Sequence, residues 1–120
     1  MTRALLVVDD DPDVLEILQL CLSGLNVTTA VGGAAAIELF RTGGLDGLLL
    51  DVDMPGTDGR AVLLAVRAER PDLPVVFLTA NTDDRLAAEL RRLGAREVLH
   101  KPFDPRRIST DVAGAFGWAA

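Results

Sequence analysis

Leu48-Leu49-Leu50-Asp51-Val52-Asp53-Met54-Pro55-Gly56-Thr57-Asp58-Gly59 is an apolar run that breaks abruptly into acids and turn formers. Three consecutive leucines show no polar alternation, which marks a strand buried on both faces. Met54-Pro55-Gly56 supplies the turn. Asp58 then caps a helix that carries Val62, Leu63 and Val66 and ends before Pro71. The unit is strand, loop, helix, with an acid where the strand lets go.

The same unit recurs on either side. Leu5-Leu6-Val7-Val8 runs into Asp9-Asp10-Asp11-Pro12, where Asp11 can cap a helix and Pro12 can take its first position. That helix places Val14, Leu18, Cys21, Leu22 and Leu25 on one stripe, and Gly24 helps stop it. Val27-Thr28-Thr29-Ala30 is a further strand. After Gly32-Gly33 a small-residue helix carries Ala36, Ile37, Leu39 and Phe40 up to Gly43-Gly44. Val75-Val76-Phe77-Leu78 is a fourth strand. The helix after it is expected to begin at Thr82, with Leu86, Leu90 and Leu93 inward, and to close at Gly94. Glu97-Val98-Leu99-His100 is the fifth strand, and the last helix is expected from about Asp104. Five rounds of strand and helix with right-handed crossovers give an α/β fold, a doubly wound five-stranded parallel sheet with helices on both faces.

The 120 residues suit one domain, 1–120. A net charge of −6 argues against direct nucleic-acid binding, which needs a basic patch. A lone cysteine, Cys21, makes no internal disulfide and fits a reducing, cytoplasmic setting. The apolar run at the N-terminus is too short for a signal peptide, and no stretch has the length of a membrane span.

Open parallel sheets bind ligands beyond the carboxyl ends of their strands. There the sequence puts Asp9 and Asp10 (strand one), Asp51 (strand three), Thr79 (strand four) and Lys101 (strand five). Three convergent carboxylates raise one another's pKa unless a cation joins them. Oxygen-only ligands suit Mg²⁺, or Mn²⁺. Such an ion together with Lys101 would let the Asp51 carboxylate meet an anionic phosphoryl group as a nucleophile. Thr79 can donate its hydroxyl to a phosphoryl oxygen, and the small Ala80 leaves the phosphorus approachable. Other polar residues have plainer readings. Asp11 and Asp58 are helix caps, Cys21 is a core thiol, His100 is a surface or half-buried residue, and the Arg91-Arg92 and Arg106-Arg107 pairs are solvated helix faces.

Four segments, each at a strand end and in the right order, carry a resemblance along essentially the whole chain. They are Leu6-Val7-Val8-Asp9-Asp10-Asp11, Leu49-Leu50-Asp51 through Gly59, Val75 through Ala80, and Lys101-Pro102-Phe103. The chain resembles a response-regulator receiver domain of the chemotaxis-regulator kind, with a flavodoxin-like (βα)5 fold. The resemblance implies that Asp51 accepts a phosphoryl group from a sensor histidine kinase or a histidine phosphotransfer protein and that this switches partner binding. It implies Mg²⁺ on Asp10 and Asp51 directly, on Asp9 through water, and on the backbone carbonyl of Asp53. Lys101 would pair with Asp51 or with the phosphoryl oxygens, Thr79 would move onto the phosphoryl group, and the Lys101-Pro102 bond would be cis. Asp53 and Asn81 would border the path of the water that removes the phosphoryl group. Such a domain is no enzyme in the ordinary sense, since it promotes only its own phosphorylation and dephosphorylation.

Two departures stand out. Receivers usually carry Tyr or Phe on strand five where this chain has Val98, so the usual aromatic swing cannot report phosphorylation here. The segment from Val112 to Ala120 has no charge and contains Gly114 and Gly117, which disfavours a dimer through charged residues of that helix. Phe116 and Trp118 either pack on the sheet or stand exposed for a partner, and of the two an apolar docking patch is expected. The rival functions are a pseudo-receiver acting only as an interaction module and a haloacid-dehalogenase-like phosphatase. The second is suggested by Asp51-Val52-Asp53, but that family sets its aspartate pair on the first strand. A stand-alone regulator is expected rather than a piece of a larger one.

Overall fold

The computed structural model describes residues 2–118. Its elements follow in strict alternation: β1 Ala4–Asp9, α1 Pro12–Cys21, β2 Asn26–Val31, α2 Gly33–Arg41, β3 Gly47–Leu50, α3 Gly59–Glu69, β4 Val75–Thr79, α4 Asp84–Arg92, β5 Glu97–His100 and α5 Ile108–Phe116. The strands form one sheet in the order β2-β1-β3-β4-β5, and every neighbouring pair is parallel.

The apolar runs without alternation belong to the three inner strands, which are covered on both faces. Leu6, Val8, Leu48, Leu50, Val75 and Phe77 pack towards α2, α3 and α4, meeting Phe40, Val62, Val66 and Leu90. Their neighbours Leu5, Val7, Leu49, Val76 and Leu78 point the other way, onto Leu15, Leu18, Leu22, Ile108, Val112 and Phe116 of the α1–α5 side. Alternate side chains of one strand thus feed two separate cores. The edge strand β2, written with two threonines, is largely open to solvent.

The helix starts follow local chemistry. Asp11 accepts from the Asp13 amide at 2.9 Å with Pro12 at the first helical position, and Asp58 accepts from the Ala61 amide at 2.9 Å. Three expectations are corrected. The cap of α4 is Asp83, which accepts from the Arg85 amide at 2.9 Å, while Thr82 lies outside the helix. The last helix begins at Ile108, because Asp104 through Arg107 close a turn in which the Asp104 carboxylate accepts from the Arg106 amide at 2.9 Å. Helix α1 ends at Cys21, before the glycine expected to stop it, and its buried stripe includes Leu15.

The end of α5 also differs from expectation. Gly117 adopts a left-handed conformation, φ 75°, and the Trp118 amide reaches back to the Ala113 carbonyl at 2.9 Å. It closes the helix as a C-terminal glycine rather than weakening its interior. Phe116 is buried, and a Cβ on Gly47 would lie 2.6 Å from its ring. Trp118 stacks on Phe116 at 4.3 Å and is itself partly covered, with the Arg3 guanidinium 5.5 Å from its ring. Phe116 therefore belongs to the core rather than to a docking patch, and Trp118 packs against that core while partly covered. Ala119 and Ala120 lie outside the described residues.

Removing the Phe116 ring should cost about 3–5 kcal/mol, as large-to-small core changes do. Urea unfolding of Phe116→Ala measures this, with exposed Leu20→Ala expected to stay within about 0.5 kcal/mol of the parent.

Candidate functional site

Parallel register decides which strand ends meet. Val8 pairs with Leu50, so Asp9 and Asp51 leave the sheet side by side, and the Asp51 amide still bonds the Val8 carbonyl at 3.0 Å. Thr79 is paired with His100, and the Lys101 amide continues that ladder to the Thr79 carbonyl at 2.9 Å. All five strand-end residues singled out in the sequence accordingly sit at one edge of the sheet.

The side chains of four of them are inward or partly covered, while Asp10 is open to solvent. Lys101 donates to Asp9 Oδ2 at 2.7 Å and to Asp51 Oδ2 at 3.3 Å. Asp9 also accepts from the Asp11 amide at 3.0 Å through Oδ1, and Asp51 Oδ1 accepts from the Val52 amide at 2.8 Å. Thr79 is buried, and its hydroxyl oxygen accepts from the Asn81 amide at 3.1 Å. The Lys101-Pro102 bond is cis.

One ammonium faces three clustered acids and bonds two of them. Oxygens of Asp9, Asp10 and Asp51 all lie within 4.8 Å of one another. Burial pushes the Asp51 carboxyl above its ordinary value; Lys101 draws it down and Asp9 pushes it further up. Burial also works against the Lys101 ammonium, but the Asp9 and Asp51 carboxylates outweigh it and hold the group above its usual value. The cluster therefore keeps a deficit of positive charge next to an exposed carboxylate. That donor set, oxygen-only and anionic, fits a hard divalent cation.

The loop after β3 is fixed by glycine. The Gly59 amide bonds the Val52 carbonyl at 2.8 Å, and a Cβ at Gly59 would strike the Asp51 carbonyl. On the neighbouring side Gly33 lies so close to the Thr57 carbonyl that α2 also braces this loop. Beyond Asp51, Asp53 accepts from the Asn81 side chain at 3.3 Å, a bond between two loops that sequence spacing does not disclose. A groove of about 490 Å³ runs from there between α3 and α4, past Arg60, Asp83, Arg85 and Glu89.

The family model described as the response regulator receiver domain matches residues 5–113. The chain belongs to that family. It is 46% identical over 102 residues to the transcriptional regulatory protein PrrA of Mycobacterium tuberculosis, covering 82% of this chain and 43% of that protein. It is 40% identical over 100 residues to the DNA-binding transcriptional regulator NtrC of Escherichia coli, covering 82% of this chain and 21% of that protein. The chain thus spans less than half the length of these curated relatives. Among solved structures, the chemotaxis protein CheY4 of Vibrio cholerae superposes with a TM-score of 0.88 at 27% identity, covering 96% of this chain and 99% of that one. A Francisella response-regulator receiver domain gives 0.87 at 26% identity, covering 97% and 98%. The receiver fold expected from the sequence is the fold found, and the chain is a receiver domain of two-component signalling. Among the described residues no helix is long and apolar enough to cross a membrane.

The strained charge balance at Asp51 has a measurable sign. Its carboxyl titrates higher in the folded chain than in the unfolded one, so the folded state binds the extra proton and loses stability as pH rises through that interval. Without divalent metal, Asp51→Asn should therefore melt higher than the parent at pH 7, with the gap closing below about pH 4. Thermal melts in chelator across that range test this, and an equal or lower melting temperature for the variant at pH 7 contradicts it.

Proposed function

We propose that this receiver takes a phosphoryl group onto Asp51 from the phosphohistidine of a sensor kinase or phosphotransfer protein, and that the modified form binds a partner differently. The observation that carries the reading is the shared ammonium: Lys101 reaches Asp9 and Asp51 at once, at 2.7 and 3.3 Å. A carboxylate kept close to a fixed cation can approach an anionic phosphorus without the full cost of charge repulsion.

In the transfer an Asp51 oxygen attacks phosphorus, the P–N bond of the donor breaks, and the departing imidazole recovers a proton from solvent. The Val52 amide holds Asp51 Oδ1, which leaves the carboxylate plane fixed while Oδ2 faces Lys101. Lys101 can follow the growing negative charge because its second partner, Asp9, keeps the ammonium in place. Thr79 lies at the end of the neighbouring strand with a hydroxyl hydrogen to donate to a phosphoryl oxygen. Asp10 and Asp51 would hold Mg²⁺ or Mn²⁺ directly, Asp9 through water, and the carbonyl of Asp53 would complete the set. When bound, the ion neutralises the charge that the phosphoryl group adds to an already acidic site. The same residues would serve hydrolysis of the acyl phosphate, which gives the signal a finite lifetime. A cytoplasmic kinase–receiver pair is the setting that this chemistry fits.

Incubation with acetyl phosphate should add one phosphoryl group in Mg²⁺ and none in chelator, and Asp51→Asn should gain none. Intact mass recorded promptly reads the result. Absence of the adduct from parent protein that binds Mg²⁺, with both acetyl phosphate and a phosphorylated kinase as donors, would count decisively against the proposal. Lys101→Ala should fold, because Asp9 and Asp51 can be neutralised by protonation or metal, and should lower the rate of uptake by about 10²-fold or more.

A further inference from the structure

The sheet has two edges, and only one of them is guarded. Strand β5 is four residues long and opens on a charge: Glu97 pairs with Arg91 at 2.6 Å and accepts from the Val98 amide at 2.9 Å. Brevity and charge are the usual means by which an edge strand avoids pairing with another chain. Strand β2 has neither. It runs for six residues, Asn26-Val27-Thr28-Thr29-Ala30-Val31, with no charge, no proline and an unbroken register against β1. From Ile17 to Ile37 the chain carries no charged residue at all, although 25% of its residues are charged. The second half of α1, the edge strand and the start of α2 thus form a neutral flank on a chain of net charge −6.

Hydrogen bonds at the two ends of β2 fix which backbone groups face outward. The Asn26 amide bonds the Arg3 carbonyl at 2.9 Å, and the Gly32 amide bonds the Asp9 carbonyl at 3.1 Å. Successive residues of a strand turn their backbone groups to opposite neighbours. Asn26, Thr28 and Ala30 therefore serve β1. Val27, Thr29 and Val31 turn N–H and C=O outward, where no strand lies among the described residues.

Such a row is self-complementary. About a twofold axis at Thr29, two antiparallel copies set Thr29 opposite Thr29 and Val27 opposite Val31. Each opposed pair then exchanges two hydrogen bonds. Val31, 58% exposed, gains an apolar partner in Val27 of the second copy. Charge favours the same occupant. Two copies of an acidic chain repel across most surfaces, but a neutral flank lets them meet, and it offers no steering to a charged partner.

We infer that β2 is a self-association edge, which pairs antiparallel with β2 of a second copy to make one continuous sheet. The strands of the two copies run in opposite directions, so the two carboxylate edges lie at opposite ends of the pair and both stay open. The inference does not depend on what Asp51 carries. One strand from each side makes a small interface, and the dimer is accordingly weak.

Sedimentation of the full chain at rising concentration should show monomer passing to dimer, with a dissociation constant on the order of 100 µM. Amide exchange along the same series reads the register. Val27, Thr29 and Val31 should slow about three- to tenfold as the dimer forms, while Thr28 and Ala30, already bonded to β1, keep their rates. Thr29→Pro removes an outward N–H that β1 does not use, at a place where an edge strand accepts proline. It should fold and weaken the dimer about tenfold or more. Thr29→Lys and Thr29→Glu should each associate less than the parent, because like charges meet on the axis, yet a mixture of the two should pair. This mixture decides the matter if the proline variant does not fold. A parent that stays monomeric up to about 1 mM overturns the inference. So does a dimer that leaves Val27, Thr29 and Val31 unprotected, a folded Thr29→Pro that dimerises like the parent, or a charge mixture that pairs no better than its components.

Discussion

Everything at the functional edge of this molecule is arranged around one ammonium group and too many carboxylates. Two of those carboxylates, Asp9 and Asp51, are withdrawn from water, where an unpaired charge is costly. Lys101 meets both, having reached them from the far side of the sheet across the ends of β4 and β3. Correct register along four strands is needed for that contact. A slip of one residue in β3 would turn Asp51 to the opposite face and strand the lysine. The two-sided apolar packing of the inner strands is what forbids such a slip, so the hydrophobic cores set the electrostatics.

Much of this arrangement is legible in the sequence. Strand ends were legible because Leu48-Leu49-Leu50 and Leu5-Leu6-Val7-Val8 stop at acids, and parallel sheets expose those ends together. Caps such as Asp11 and Asp58 were legible because a cap acts over two or three residues. What failed was competition at short range: Thr82 and Asp83 are both good caps, and Asp83 wins because Asn81 holds its amide. Contacts set by partners distant in sequence were equally hidden. Phe116 is core because Gly47, 69 positions earlier by numbering, leaves room for its ring. The bond between Asp53 and Asn81 joins two loops whose separation no local pattern encodes.

The two loops that flank Asp51 are built in different ways. After β3 the backbone itself is wedged, with Gly59 under the Asp51 carbonyl and Gly33 against Thr57. After β4 the path is held by side-chain and amide hydrogen bonds through Asn81 and Asp83. Wedged backbone has one arrangement, whereas hydrogen-bonded loops can exchange partners at small cost. The sheet edge thus combines a wedged wall beside Asp51 and a hydrogen-bonded one beside Thr79. Val98, beside them on β5, is an aliphatic residue buried in the core.

The pairing of Arg3 with Trp118 brings the start of β1 and the end of α5 together at the pole away from the carboxylates. A short bridging peptide there would close the backbone into a ring with little disturbance. New ends could then be opened in the exposed turn at Gly43 and Gly44, where the backbone is left-handed and no other atom lies within 4 Å of where a Cβ would stand. Such a circular permutant would visit its strands in a different order yet present the same acids and the same lysine at the same edge. In such a permutant the order of synthesis would be separated from the architecture of the site.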